Sequence, residues 1–229
     1  MTRPVIPVIA VDGPSGVGKG MATRWLASRT GWHRLDSGAL YRILALAATH
    51  AAVPLDQADA VAALAGGLDI RFVGETEADE AILVDGQDWT HEIRAEETGN
   101  LASKIATASV VRDALMQRQR DFRTAPGLIA DGRDMGTIVF PDAVLKVFLD
   151  ASAEARAERR YRQLSKKGAS VKLTDLFAEV RARDERDRKR AVAPLAAAPD
   201  AVIIDTTQMG VPEVLTEIEA LLKSRQLVD

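Results

Sequence analysis

Residues Gly13-Pro14-Ser15-Gly16-Val17-Gly18-Lys19 fit the spacing G-x-x-x-x-G-K. That spacing has a direct physical use. Glycines let successive backbone N–H groups turn inward around phosphate oxygens. A following helix offers its positive N-terminal end, and a lysine adds a mobile charge for the outer phosphates. Without flanks the segment is equally a glycine-rich strand-to-helix turn. An apolar run before it and a helical pattern after it supply the context that phosphate binding requires. Gly20 and Met21 follow the lysine, where a hydroxyl commonly ligates magnesium. Any metal would therefore rest on ligand oxygens, water and other groups. The candidate phosphate contacts are Gly13 to Met21.

Three further clusters could hold a second anion. Asp36-Ser37-Gly38-Ala39-Leu40-Tyr41-Arg42 opens a helical pattern, with Ser37 placed as an N-cap and Arg42 about a turn later. Read alone, it is an ordinary capped helix. Asp131-Gly132-Arg133-Asp134-Met135-Gly136-Thr137 sets two carboxylates around one guanidinium, with Asp131 where a strand should end. An internally paired arginine has the same signature. In Arg181–Arg190, helical spacing puts Arg183, Asp187 and Arg190 on one face. A lone charge run of this kind is usually a solvated, ion-paired face. Beside a phosphate loop it has a second use, positive charge brought over a migrating phosphoryl group.

Composition fits that chemistry and excludes others. The chain of 229 residues has no cysteine, so disulfides, thiolate metal sites and cysteine nucleophiles are out. His33, His50 and His91 have no metal-ligand spacing. Of 30 basic residues 22 are arginine, the side chain that grips phosphate and carboxylate bidentately. The net charge of −3 does not suit a molecule built to coat nucleic acid or an anionic membrane. It conceals a contrast. Residues 153–190 hold 13 basic and 7 acidic side chains, so the remainder is acidic. No stretch has transmembrane length, and a soluble cytoplasmic protein is expected.

The elements that must position these residues can be read from periodicity. Strands are expected in the apolar run 5–11, beginning near Pro7, and at 32–35, 127–131, 144–149 and 201–205. Helices are expected at 18–29, 40–49, 56–64, 98–106, 110–123, 153–190 and 211–225. Strands alternating with helices imply an α/β fold with a parallel sheet covered on both faces. Residues 68–86 break this rhythm. Alternating runs at 69–73 and 81–84, then Asp85-Gly86, predict an inserted antiparallel hairpin unit.

Taken in order, Val11-Asp12-Gly13-Pro14-Ser15-Gly16, Leu35 to Arg42, Leu128 to Thr137 and Arg183 to Leu195 resemble the bacterial cytidylate kinases over nearly the whole chain. Glycine after the loop lysine is also the pattern of nucleoside monophosphate kinases, although those usually place threonine where Met21 stands. The resemblance implies a P-loop three-layer fold with a five-stranded parallel sheet, a nucleotide-binding insert and a helical lid. The core would comprise residues 1–67, 96–152 and 191–229, the insert 68–95 (extending to about 106) and the lid 153–190. It implies ATP as phosphoryl donor, CMP or dCMP as acceptor, Mg2+ as cofactor and a monomer. Lys19, Arg159, Arg183 and Arg190 would be catalytic, with Arg159 and Arg183 serving the ATP and the transferring phosphoryl. Ser37, Arg42, Arg133 and Arg190 would hold the CMP phosphate, and Asp131 would lie in the same site. Ser103, Arg112 and Asp134 would read cytosine, and Asp187 would bind the ribose hydroxyls. A carboxylate at Asp134 suits cytosine's exocyclic amino donor. Other readings are a P-loop kinase for another small acceptor such as UMP, AMP or shikimate, a nucleotide sensor, and a nucleic-acid binder. Interleaved acids and the scarcity of stacking aromatics weigh against the last.

Overall fold

In the computed structural model, which describes residues 5–73, 81–166 and 168–228, the N-terminal apolar run forms β1 (Val8–Asp12), buried at every position. It starts just after Pro7, where the sequence places its beginning. Four more strands join it side by side, β2 (His33–Asp36), β6 (Leu128–Gly132), β7 (Leu145–Asp150) and β8 (Val202–Asp205), in the order β2-β6-β1-β7-β8. All pairings are parallel. Complete burial of β1 and β6 explains their lack of apolar–polar alternation, since both sheet faces are covered.

The chain divides into two compact units. One is built from the chain up to Asp36 and from Gln119 onward, and the other is Ser37–Arg118. The first holds the parallel sheet with α1 (Lys19–Thr30), α7 (Ala153–Lys166), α8 (Leu173–Arg188) and α9 (Val211–Ser224). Ile9, Val11, Val147 and Leu149 from the sheet pack with Leu26 of α1 and Ile218 and Leu222 of α9. The basic segment expected as one helical run is two helices, α7 and α8, broken near Gly168, whose φ of +80° few other residues adopt.

The second unit contains α2 (Ser37–His50), α3 (Ala58–Leu64), α4 (Thr90–Arg94), α5 (Glu96–Ile105), most of α6 (Ser109–Asp121) and the antiparallel sheet β3 (Ile70–Val73), β4 (Ala81–Val84) and β5 (Gln87–Asp88). Asp85 and Gly86 both have positive φ, as the tight turn between β4 and β5 requires. Ile82, Val84 and Trp89 pack on Ile43, Leu46 and Ile93. Arg118 donates to the carbonyl oxygens of Ala65 (2.7 Å) and Leu68, which closes the chain around the sheet. The polar stretch 74–80 of the expected insert, and residue 167 of the basic segment, lie outside the described residues. Among the described residues, no helix is long and apolar enough to cross a membrane.

Ile129 lies on the central pair of strands and is fully buried. Ile129→Ala is expected to lower unfolding free energy by about 2–5 kcal/mol, read by chemical denaturation.

Candidate active site

The carboxyl ends of the parallel strands form an acidic edge. Asp12, Asp36, Asp150 and Asp205 each end a strand, and Asp131 is one residue from the end of β6. Register aligns them, with Asp36 opposite Asp131 and Asp12 opposite Gly132. Open α/β sheets bind ligands at this edge. The glycine-rich loop rises from β1 directly over it. At Gly13 the backbone passes so close to β7 that a Cβ would stand 2.1 Å from the Leu149 carbonyl oxygen. Gly18, with φ +105°, lets the loop turn into the N-terminus of α1.

Lys19 is the first residue of α1, and its ammonium is drawn back into the loop. It donates to the Pro14 carbonyl at 3.0 Å and lies 3.8 Å from Asp131. Burial pushes Lys19 down to about 8, helped by Arg133 and opposed by Asp131 and Asp36. Burial likewise raises Asp131 to about 6, against the pull of Lys19. Pro14, Ser15, Gly16 and Val17 complete the loop, and Gly20 and Met21 fall in the first turn of α1.

Asp12 was not singled out in the sequence, yet it joins the loop to the second motif. Its two carboxylate oxygens accept the N–H groups of Met135 and Gly136, both at 2.8 Å. Those residues begin a wide helical turn, Met135–Val139, in which Val139 and Phe140 donate five residues back, to the Asp134 and Met135 carbonyls. Asp134, buried, sits at the head of that turn, and Arg133 precedes it. Burial pushes the Asp12 carboxyl up to about 7, against the two N–H bonds that favour its charged form. An acidic residue closing an apolar strand was the available signal.

Arg133 donates through Nε to Asp187 at 2.9 Å, and Arg190 pairs with the other oxygen of the same carboxylate. Asp187 is 1% exposed. Burial alone would raise its carboxyl, but Arg133 and Arg190, with a smaller effect from Arg183, hold it below the usual carboxylate range. The expected face of Arg183, Asp187 and Arg190 is thus brought together. The helix supplies only part of it, because α8 ends at Arg188 and Arg190 lies past the end. The chain folds back there, with Leu195 N–H donating to the Asp187 carbonyl at 2.8 Å. Sequence reading also missed Arg156, which is buried, and Asp184, which is half-buried, a pair linking α7 to α8. No spacing sets Arg156 apart from the other basic residues of its segment.

Arg159 points elsewhere. It donates to the Thr206 hydroxyl (3.0 Å) and carbonyl. Beside it lies an open cleft of about 390 Å³, lined by residues that include Glu158, Arg162, Thr207 and Met209. The remaining site residues belong to the Ser37–Arg118 unit. Ser37 is the first residue of α2, one place inside the cap expected for it. Arg42 donates to the Ile93 and Ala95 carbonyls at 2.7 and 3.1 Å. Ser103 on α5 and Arg112 on α6 are both buried, with the Arg112 guanidinium 6.0 Å over the Tyr41 ring. Among the described residues, no three histidines or carboxylates cluster as a metal site.

Comparison with known proteins decides the family. The family model described as cytidylate kinase matches residues 9–224. The chain belongs to the cytidylate kinase family. Curated cytidylate kinases similar to it include that of Aeromonas salmonicida, 56% identical over 214 residues and 93% of each chain. That of Proteus mirabilis is 55% identical over 219 residues, covering 96% of this chain and 97% of its own. The cytidylate kinase of Salmonella arizonae is 53% identical over 222 residues, 97% and 96% of the two chains.

The buried Asp12 of this family member gives a pH-dependent expectation. A carboxyl at about 7 when folded and near 3.8 when unfolded contributes stability that is complete at low pH. It is lost as pH climbs from about 4 to about 7. Asp12→Asn lacks this dependence. The melting temperature of the wild type relative to Asp12→Asn should fall between pH 5 and 7.5, and a constant difference would contradict the assignment.

Proposed function

We propose that the protein transfers the γ-phosphoryl group of ATP to CMP or dCMP, giving ADP and CDP or dCDP, by direct in-line displacement. The observation that carries this reading is the junction at Asp12. The phosphate loop and the Arg133-Asp134 motif leave neighbouring strands at one sheet edge and are bonded to each other through that carboxylate. A donor and an acceptor held on those two loops would meet over Lys19. Family membership supports the same acceptor and does not favour another small-acceptor kinase.

In this reading Gly13 to Met21 wrap the ATP phosphates, with backbone N–H groups and the start of α1 aimed at them. Lys19 would leave the Pro14 carbonyl and follow the phosphate charge. Arg183 and Arg190 offset charge that builds on the transferring group, while Arg159 serves ATP from its place beside the open cleft. Ser37, Arg42, Arg133 and Arg190 hold the CMP phosphate, near Asp131. Ser103, Arg112 and Asp134 read the base, and Asp187 takes the ribose hydroxyls. No covalent intermediate is needed, because positioning and electrostatics suffice.

Mg2+ would accompany ATP and neutralise phosphate charge. With no hydroxyl at Gly20 or Met21, a magnesium ion would rest on phosphate oxygens, water and other groups. Residues 153–190 act as the lid and 68–95 as the acceptor-side insert, and closing them excludes water. The enzyme works as a soluble, cytoplasmic monomer without nucleic acid or membrane.

Asp134→Ala tests the base-reading role. The KM for CMP should rise by about tenfold to a hundredfold, the size of a lost hydrogen bond to a charged group, while the KM for ATP stays within about twofold. Equal losses for both substrates would remove Asp134 from that role.

A further inference from the structure

The Arg156 guanidinium is buried beneath the phosphate loop and meets three parts of the chain. Nε donates to the Ala151 carbonyl at 3.0 Å, at the end of β7. Nη1 donates to the Ser15 carbonyl at 3.1 Å, inside the loop. Nη1 and Nη2 grip both oxygens of Asp184 on α8, the first at 2.9 Å. The side chain is 2% exposed. A Cβ on Gly16 would stand 3.6 Å from the Arg156 Cβ, so the stem of the arginine also lies against the loop.

Taking the Arg156 charge out of water is costly even when it is paired with the half-buried Asp184, so stability alone is a weak reason for its presence. Its geometry suggests another. A bidentate arginine fixes a carboxylate in position and in orientation. Asp184 adjoins Arg183 and is three residues, about one helical turn, before Asp187. The helix is therefore fastened at two points one turn apart. Asp187 ties it to Arg133 of the second motif, and Asp184 ties it through Arg156 to Ser15 of the phosphate loop.

We propose that Arg156 is a positioning residue that, through Asp184, sets α8 and its arginines in register with the donor phosphates. Its role in this reading is exerted through Asp184 and the Ser15 carbonyl rather than on a substrate. It carries the position of the loop carbonyl to the helix, so Arg183 is aimed from the same point that shapes the phosphate cradle. The two fastenings divide the work, with Asp184 serving the donor side and Asp187 the acceptor side. The inference rests on the proposed role of the α8 arginines in phosphoryl transfer.

The test is a double-mutant cycle of Arg156→Lys and Asp184→Asn, with steady-state kinetics and calorimetric titration of ATP and CMP. Lysine keeps the charge but cannot span three acceptors, and asparagine keeps the shape but loses the charge. Asp184→Asn should lower kcat tenfold or more and weaken ATP binding several-fold, with the CMP dissociation constant within twofold of wild type. The double variant should be no worse than the poorer single variant. If Arg156→Lys fails to fold, Asp184→Asn alone decides. The proposal is overturned by a kcat within twofold of wild type in Asp184→Asn, by CMP affinity falling in parallel with kcat, by additive losses, or by failure of both single variants to fold, which would make the pair purely structural. The functional reading fails separately, if the unmodified protein shows no CMP-dependent ADP release. The ATP titration of Asp184→Asn still decides for or against the Arg156 link in that case.

Discussion

The Asp12 carboxylate, buried at the end of β1 and accepting the N–H groups of Met135 and Gly136, is the contact on which the site depends. Parallel pairing of β1 with β6 brings the two loops off the sheet at one level, since Asp12 lies opposite Gly132. Pairing alone does not fix how the chain turns after Gly132. One carboxylate accepting two adjacent amides does, and the turn it anchors carries Arg133 and Asp134 at its head. The arrangement holds a carboxyl near 7 that would titrate near 4 in water. A buried carboxyl shifted this far beside a phosphate loop is the kind of group found at functional sites.

Positive charge in the site is stored against carboxylates. Lys19 rests between the Pro14 carbonyl and Asp131, Arg133 and Arg190 share Asp187, and Arg156 grips Asp184. Phosphoryl transfer needs these cations close together, where they would otherwise repel one another. Asp131 near the end of β6, with Asp184 and Asp187 on α8, keeps them assembled before a more highly charged substrate arrives.

Sequence pattern captured the five core strands and the longer helices, because continuous apolar runs such as Val8 to Val11 are buried on both faces, but it missed the short α4 and β5. It captured the phosphate loop, whose glycines have few other uses at that spacing, and the Asp85-Gly86 turn, whose positive φ values few residue pairs adopt. It read residues 153–190 as one helical stretch, since Gly168 alone breaks an otherwise uniform charged pattern. It put Arg190 on the helix, although helical spacing continues past the point where the chain turns back to bond Leu195 with Asp187. Asp12, Arg156 and Asp184 escaped for a shared reason. Their roles come from long-range contacts spanning 28 to 141 residues, and local spacing carries no trace of such contacts.

The central claim is that the buried edge around Lys19 joins a bound ATP to a bound cytidine monophosphate. The most direct measurement is ADP release from ATP with CMP, dCMP, UMP, AMP and GMP supplied in turn, with Lys19→Ala as the blank. The expected result is turnover with CMP and dCMP well above the other three, and none above background in the blank. Turnover with another monophosphate but not with CMP, or full activity in Lys19→Ala, would contradict it.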